Sequence, residues 1–242
     1  MSNRKKTYHG VTLGILMVDS TFTRFVGDIG NAQTWPFPVQ YKIVRGASPA
    51  EMISLEASDV LQPFKDAADE LIADGVDGIT TTCGFLALYQ RELADHCPVP
   101  VCTSALLQVP LVERLIGTEK RAGILTYSAE ALNAVHLEAA GVATDTPVVG
   151  IPQDSEFFRW IIEGDDQVDF EAIRADALAA AQRLVEENPQ VGAIVSECTN
   201  LTPFASDIRK QTGLPVFDMV SMVTWFQMGL KPAAYRQDEV NS

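Results

Sequence analysis

Residues 78–85 read GITTTCGF, and residues 192–200 read GAIVSECTN. Each stretch is an apolar run that ends near a cysteine, Cys83 in the first and Cys198 in the second. In both copies, helical sequence follows, and the proline at the next short strand, Pro100 or Pro215, lies 17 positions after the cysteine. A pattern that repeats in the same order predicts two related halves with one cysteine at the same point of each.

Equivalent cysteines in two halves can face each other across a shared cleft. Two acid/base groups on opposite sides of a substrate suit a reaction that moves a proton from one face of a carbon to the other. A free thiol titrates near ~8.5, and lowering its pKa to ~7 takes about 2 kcal/mol. A helix start supplies about 0.3–1 kcal/mol. We therefore expect hydroxyl or backbone donors to lower the pKa of both thiols.

Composition limits the classes of partner. The 242 residues suffice for one large or two small domains, and their net charge is −14. This charge argues against nucleic acid or an anionic membrane as a partner. No apolar stretch approaches the ~20 residues of a membrane span, and no targeting segment is recognisable. We expect a cytoplasmic protein with reduced cysteines. The sequence leaves the oligomeric state open, with a homo-oligomer as one alternative.

Short apolar runs alternate with helical patterns along the chain, which predicts parallel strands joined by crossover helices. The predicted strands are residues 11–18, 39–44, 78–83, 99–103, 122–126, 148–151, 191–196 and 216–219. The predicted helices are residues 48–73, 85–95, 129–140, 170–187 and 203–211, with a bridge over 106–116 and a further helix after Ser221. We expect an α/β fold of two pseudo-symmetric halves, each a roughly four-stranded parallel sheet flanked by helices, with the active site between them.

The two halves divide the chain at predicted boundaries. Residues 1–107 with 218–242 form the first α/β half, to which the C-terminal helix returns, and residues 108–217 form the second. The halves differ after their first strands, where residues 19–38 carry glycines, prolines and Trp35 in place of a helix. Because ligands bind at the carboxyl ends of parallel strands, this loop is either a lid or a packing and subunit contact.

The motifs of the chain resemble those of the aspartate/glutamate racemase superfamily, which includes hydantoin racemases, maleate cis–trans isomerases and arylmalonate decarboxylases. The resemblance covers nearly the whole chain. It rests on Gly14-Ile15-Leu16 leading to Asp19-Ser20, on the strand end at Cys83, on Gly123-Ile124-Leu125-Thr126 and on Glu197-Cys198-Thr199-Asn200. It implies two α/β halves related by a pseudo-two-fold axis, a cleft that holds a small carboxylate between two cysteines, and no need of a cofactor.

The chain departs from the amino-acid racemases of that superfamily at both cysteines. Those enzymes usually carry Cys-Asn-Thr and Cys-Thr-His, whereas residues 83–85 read Cys-Gly-Phe and residues 198–200 read Cys-Thr-Asn. The departures weaken the case for glutamate or aspartate as the substrate but leave two thiols, where the decarboxylases keep one. The three histidines show no metal-ligand spacing, so no metal is expected.

We expect Cys83 and Cys198 to be the catalytic residues, with strand-end and loop side chains around the substrate. Asp19 either assists the first thiol or caps its loop, and Arg24 either clamps a carboxylate bidentately or lies solvated on the surface. Glu197 is a candidate partner for a buried loop amide. The expected substrate-binding residues are Asp19, Ser20, Arg24, Thr82, Gly84, Phe85, Thr126, Tyr127, Thr199 and Asn200.

Three functions are compatible with this arrangement. The first is a cofactor-independent isomerase, a racemase or epimerase in which one thiolate removes the α-proton of a small carboxylate or hydantoin-like compound and the other thiol returns a proton. The second is a cis–trans isomerase or decarboxylase of a small dicarboxylate on the same scaffold. The third is a non-catalytic binding protein for small acids.

Overall fold

The chain folds into two four-stranded parallel sheets. The computed structural model describes residue 6, residues 8–49, residue 52, residues 60–164 and residues 168–234. Its strands are β1 (Leu13–Val18), β2 (Val39–Val44), β3 (Gly78–Thr81), β4 (Val101–Cys102), β5 (Arg121–Thr126), β6 (Val148–Gly150), β7 (Val191–Ser196) and β8 (Val216–Phe217). The spatial orders are β2-β1-β3-β4 and β6-β5-β7-β8. This repeated order confirms the predicted α/β fold of two related halves.

Helices flank both sheets. They are α1 (Leu61–Asp74), α2 (Gln90–His96), α3 (Val109–Leu115), α4 (Ala134–Ala139), α5 (Glu156–Glu163), α6 (Phe170–Glu187), α7 (Ala205–Thr212) and α8 (Met219–Leu230). Short 3-10 helices cover Ala32–Thr34, Gly84–Tyr89, Ala105–Gln108 and Thr199–Phe204. Most of the predicted helix segment before α1, namely residues 50, 51 and 53–59, lies outside the described residues.

Three apolar cores hold the elements together. One lies under each sheet, around Phe64 in the first half and Trp160 in the second. The third joins the halves, because Ile15 of β1 and Ile124 of β5 belong to one buried cluster. Helix α8 packs against the first sheet so closely that a Cβ at Gly78 would lie 2.6 Å from Leu230 Cδ1. The exact domain boundaries stay a prediction.

Several predicted elements differ from those of the structure. The helix expected from residue 85 begins as a 3-10 helix and becomes α-helical at Gln90. The helix expected over 129–140 begins at Ala134, because Asn133 accepts a hydrogen bond from the Val135 amide and so caps it. Helix α5 was not expected; Ser155 caps its start, and Gly164 ends it in the left-handed region at φ 67°.

Candidate active site

Both cysteines lie where a central strand ends and a 3-10 helix begins. Cys83 follows β3 and precedes Gly84–Tyr89, and Cys198 follows β7 and precedes Thr199–Phe204. The two strand ends are tied together across the halves, since the Thr199 hydroxyl donates to the Thr82 carbonyl at 2.8 Å. The repeated sequence pattern thus places two thiols at equivalent points beside one another.

A single pocket contains both thiols. About 480 Å³ of space between atoms, including open solvent at the mouth, lies within it. Its walls come from both halves and combine apolar side chains with a few polar groups. The lining residues are Val18, Ser20, Phe22, Arg24, Pro49, Met52, Thr82, Cys83, Gly84, Phe85, Tyr127, Ile161, Glu197, Cys198, Thr199 and Asn200.

Most of the residues expected to bind substrate lie in this wall, and two do not. Ser20, Arg24, Thr82, Gly84, Phe85, Tyr127, Thr199 and Asn200 line the pocket. Asp19 is absent from the lining and pairs with Arg45 at 3.2 Å on the surface. Thr126 lies behind the wall, where its hydroxyl donates to the Glu197 carboxylate at 2.5 Å. The structure therefore does not bring Asp19 or Thr126 to the position of a direct substrate contact.

Arg24 is held inside the protein and is not a solvated surface residue. Its guanidinium bonds to the fully buried Asp28 carboxylate at 2.8 Å and to the Ser20 hydroxyl at 2.9 Å. It also lies 4.5 Å from the centre of the Phe22 ring. Gly30 makes this position accessible, because a Cβ there would lie 2.5 Å from Arg24 Cδ. Arg24 thus lines the pocket with its charge paired and its side chain held in place, and a guanidinium carries five N–H donors in all.

Burial outweighs the expected donors in setting the thiol pKa values. Burial and the Glu197 charge raise the pKa of Cys83 to about 12, although the backbone N–H groups of Phe85 and Leu86 act to lower it. Burial and the Glu197 charge also raise the pKa of Cys198 well above its usual value, although a hydrogen bond from the backbone N–H of Asn200 acts to lower it. The prediction of lowered thiol pKa values is wrong because desolvation exceeds the contribution of these donors.

Glu197 is a fully buried carboxyl group between the two cysteine segments. It directly precedes Cys198, and its Oε1 atom would lie 2.0 Å from a Cβ at Gly84, the residue after Cys83. Burial raises the pKa of Glu197 to about 7, while the hydrogen bond from Thr126 acts to lower it. Because a carboxyl group with such a pKa changes charge at neutral pH, Glu197 is a third acid beside the two thiols.

The Tyr127 hydroxyl is a buried polar group without a hydrogen-bond partner in the described part of the chain. Its ring stacks on Phe158 with centroids 5.0 Å apart. Burial and the neighbouring Cys198 raise its pKa, so the phenol stays protonated at neutral pH. A buried donor left unpaired at a pocket wall indicates a position for a ligand oxygen.

The loop over residues 19–38 is packed against the second half. The Trp160 indole donates to the Thr23 carbonyl at 2.9 Å, and the Thr202 hydroxyl donates to the Gly27 carbonyl. Trp35 is 8% exposed and belongs to the core that joins the halves. Of the two expected roles, lid and packing contact, these contacts favour a fixed wall over a loop that swings open.

Part of the pocket was not predicted from the sequence. Phe22, Met52 and Ile161 form its apolar wall, and Asp28 orients its polar residues. The signal for Ile161 was available, since residues 155–164 have a serine cap, aromatic residues at helical spacing and a terminal glycine. The bond between Asp28 and Asn200 had no sequence signal, because only the fold brings these two residues together.

The described residues contain neither a helix suited to cross a membrane nor a cluster of metal-ligating side chains. None of the described helices is long and apolar enough to cross a membrane. No group of three or more His, Cys, Asp or Glu side chains in the described ranges could hold a metal ion.

Solved structures with this fold include an arylmalonate decarboxylase and a glutamate racemase. A variant of arylmalonate decarboxylase in its sulfate-associated form, with cysteine in place of a glycine, matches 93% of this chain and 96% of its own with a TM-score of 0.64 and 16% identity. A glutamate racemase isoform from Bacillus anthracis matches 93% of this chain and 84% of its own with a TM-score of 0.59 and 13% identity. These similarities show the fold.

Sequence comparison identifies a narrower group. No protein-family model matches the chain. A dimethylsulfoniopropionate lyase of Durusdinium sp. clade D is 32% identical over 226 residues, which cover 90% of this chain and 74% of that protein. Dimethylsulfoniopropionate lyase 7 of Emiliania huxleyi is 29% identical over 230 residues, which cover 90% of this chain and 67% of that protein. The chain therefore belongs to the family of the dimethylsulfoniopropionate lyases and shares its fold with arylmalonate decarboxylase and glutamate racemase.

Proposed function

We propose that this chain is a lyase that eliminates dimethyl sulfide from dimethylsulfoniopropionate, or from a close sulfonium carboxylate, without a cofactor. The observation that carries the proposal is the pocket that contains both the Cys83 and Cys198 thiols. Membership of a family whose named relatives are dimethylsulfoniopropionate lyases supports this substrate over an amino acid.

The reaction requires one base and donors for a carboxylate. A pocket thiolate takes a proton from the carbon next to the carboxylate, and the C–H electron pair becomes the new carbon–carbon double bond. The bond between the β-carbon and the sulfonium sulfur breaks, and its electron pair leaves with neutral dimethyl sulfide. Acrylate remains, and the enzyme later releases one proton to solvent. Donors at the substrate carboxylate stabilise the charge that develops there.

The two ends of this substrate match two parts of the wall. The apolar and aromatic side chains of Met52 and Phe85 suit a dimethylsulfonium group, because a cation is attracted to aromatic faces and its methyl groups are apolar. The unpartnered Tyr127 hydroxyl and the ordered Arg24 guanidinium can donate to the carboxylate. A substrate with a cation at one end and a carboxylate at the other fits both.

The test is an assay of purified protein with dimethylsulfoniopropionate. Dimethyl sulfide is measured in the headspace by gas chromatography and acrylate in solution by proton NMR. We expect both products in equal amounts at a rate proportional to enzyme. Absence of turnover with this compound, together with α-proton exchange on another small carboxylate, would overturn the lyase assignment.

Racemisation by two bases is the second candidate, and the presence of two pocket thiols favours it. A racemase needs a thiol on each face of the α-carbon, whereas the elimination needs only one basic thiol. Cys83→Ser and Cys198→Ser should each abolish a racemisation, with proton exchange of one enantiomer retained. In the elimination, one of these variants should lose far more activity than the other. The two reactions are distinguished by incubating the protein with amino acids and hydantoins in deuterated solvent. Loss of the circular dichroism signal of the compound, with deuterium at its α-carbon, would indicate racemisation.

A further inference from the structure

Glu197 is the one carboxyl group among the described residues of the pocket wall, and the proposed reaction leaves it unused. Its side chain is enclosed, with 1% of the residue exposed. The Thr126 hydroxyl fixes one carboxylate oxygen, and the other lies against the backbone of Gly84, where a side chain of any size would collide with it. Because the effective dielectric constant around a buried carboxyl group is low, its charge interacts strongly with ionisable groups nearby.

We propose that Glu197, Cys83 and Cys198 form one coupled acid cluster that holds a single negative charge, and that Glu197 makes the basic thiolate by accepting a thiol proton. This inference rests on the proposed function only for the use of the thiolate. The proton balance is complete: the thiol S–H proton moves to the carboxylate, the thiolate takes the substrate proton, and the Glu197 carboxyl releases its proton to solvent when products leave.

The groups around Glu197 support a shared charge. Cys83 and Cys198, at the ends of β3 and β7, line the same pocket as Glu197, and its charge raises the pKa of each thiol. The neighbouring Tyr127 hydroxyl stays protonated. The other charged pocket residues among those described are paired, since Arg24 bonds to Asp28. The pKa of Glu197, about 7, puts the change of charge at neutral pH. Glu197 therefore carries the charge in the resting state, and a thiol carries it after proton transfer.

Coupling has a signature that an isolated thiol lacks. Below pH 7, loss of a proton from the cluster raises the thiolate population tenfold per pH unit. Above pH 7, the cluster has already lost one proton and carries its single negative charge. That charge is divided between Glu197 and the thiols in a fixed ratio, so the thiolate population no longer depends on pH. A thiol without this partner continues to ionise tenfold per pH unit until its own pKa.

The experiment measures the rate at which iodoacetamide alkylates Cys83 and Cys198, resolved by mass spectrometry, between pH 5.5 and about 9. In the wild type, we expect the rate to level off above about pH 7. In Glu197→Gln, we expect it to continue rising about tenfold per pH unit. Asp218→Asn is the matched control, because Asp218 is also a buried carboxyl group with a raised pKa but caps α8 outside the pocket; its profile should follow the wild type.

Several outcomes would overturn the cluster: a wild-type profile without levelling near neutral pH, a Glu197→Gln profile with the same shape as the wild type, or the same change in Asp218→Asn. Thr126→Val gives a second variant that does not remove the carboxyl group. Loss of the Thr126 hydroxyl should move the levelling point to higher pH, because the hydroxyl lowers the pKa of Glu197, and an unmoved point contradicts the assignment. Failure to release dimethyl sulfide would count against the lyase reaction alone, since alkylation uses no substrate.

Discussion

The Asn200 side-chain nitrogen donates a hydrogen bond to the fully buried Asp28 carboxylate at 2.7 Å, and this bond turns the Asn200 oxygen toward Cys198. The Cys198 thiol donates to that oxygen at 3.8 Å. Because the amide has one donating and one accepting end, Asp28 decides which end meets the thiol. The same carboxylate holds Arg24, so one buried aspartate orders two residues of the pocket.

Asp28→Asn should strongly destabilise the protein and impair the pocket. It leaves the buried Arg24 charge without its counter-ion, which typically costs about 3–5 kcal/mol of the free energy of unfolding. Urea unfolding at neutral pH measures the loss. Asp145→Asn is the control, because Asp145 pairs with Arg121 on the exposed surface and its loss should leave stability nearly unchanged. Equal, small effects of both substitutions would show that the buried pair contributes nothing.

Gly84→Ala should displace Glu197 and disturb the pocket. The new Cβ would lie 2.0 Å from Glu197 Oε1 and 2.6 Å from the Glu197 carbonyl oxygen, so both segments must move. Overpacking of this kind typically costs about 1–3 kcal/mol. The measurements are thermal unfolding and turnover of dimethylsulfoniopropionate. Gly117→Ala, where a Cβ meets nothing within 4 Å, is the matched control. Wild-type stability and activity of the Gly84→Ala protein would contradict the close fit between Gly84 and Glu197.

The stability of the protein should depend on pH through Glu197. Its folded-state pKa of about 7 is raised from an ordinary value of 4.5, so the folded protein favours the protonated form. The stabilising contribution is complete below about pH 4.5 and is lost as pH rises through about 7, by about 3 kcal/mol in total. The difference in unfolding free energy between wild type and Glu197→Gln should change by this amount from pH 5 to pH 8. A difference independent of pH is incompatible with the raised pKa.

Trp35→Ala tests whether the loop over residues 19–38 is a fixed wall. Trp35 is buried, and its indole donates to the Ile29 carbonyl at 3.1 Å. Its removal should cost about 3–5 kcal/mol, as for other buried tryptophans. Trp225→Ala provides the comparison, because Trp225 is 63% exposed on α8 and should tolerate truncation. A stable Trp35→Ala protein with altered KM alone would instead support a lid.

The sequence predicted the fold from features that are local in the chain. Apolar runs, their spacing and the repeated cysteine pattern all lie within short segments, and these segments became parallel strands near the expected positions in the chain. Helix ends were less predictable, because caps such as Asn133 decide them. Helix α5 was missed although its serine cap and terminal glycine were visible in the sequence.

The chemical state of the site could not be predicted in the same way. Position relative to a helix start suggested acidic thiols, but the pKa of Cys83 depends on burial and on Glu197, which only the folded chain brings together. Asp19 looked like a pocket residue because it follows β1, yet its side chain pairs with Arg45. Asp28 reaches Asn200 across 172 residues of sequence.

Release of dimethyl sulfide by the double variant Cys83→Ser/Cys198→Ser tests most directly whether the pocket thiols carry the reaction. We expect the wild type to release dimethyl sulfide and acrylate in equal amounts, and the double variant to be slower by at least the ~10²–10⁴ that acid/base catalysis supplies. Cys97→Ser, which removes a buried thiol outside the pocket lining, should keep the wild-type rate. A double variant that turns over at the wild-type rate would contradict the thiol mechanism.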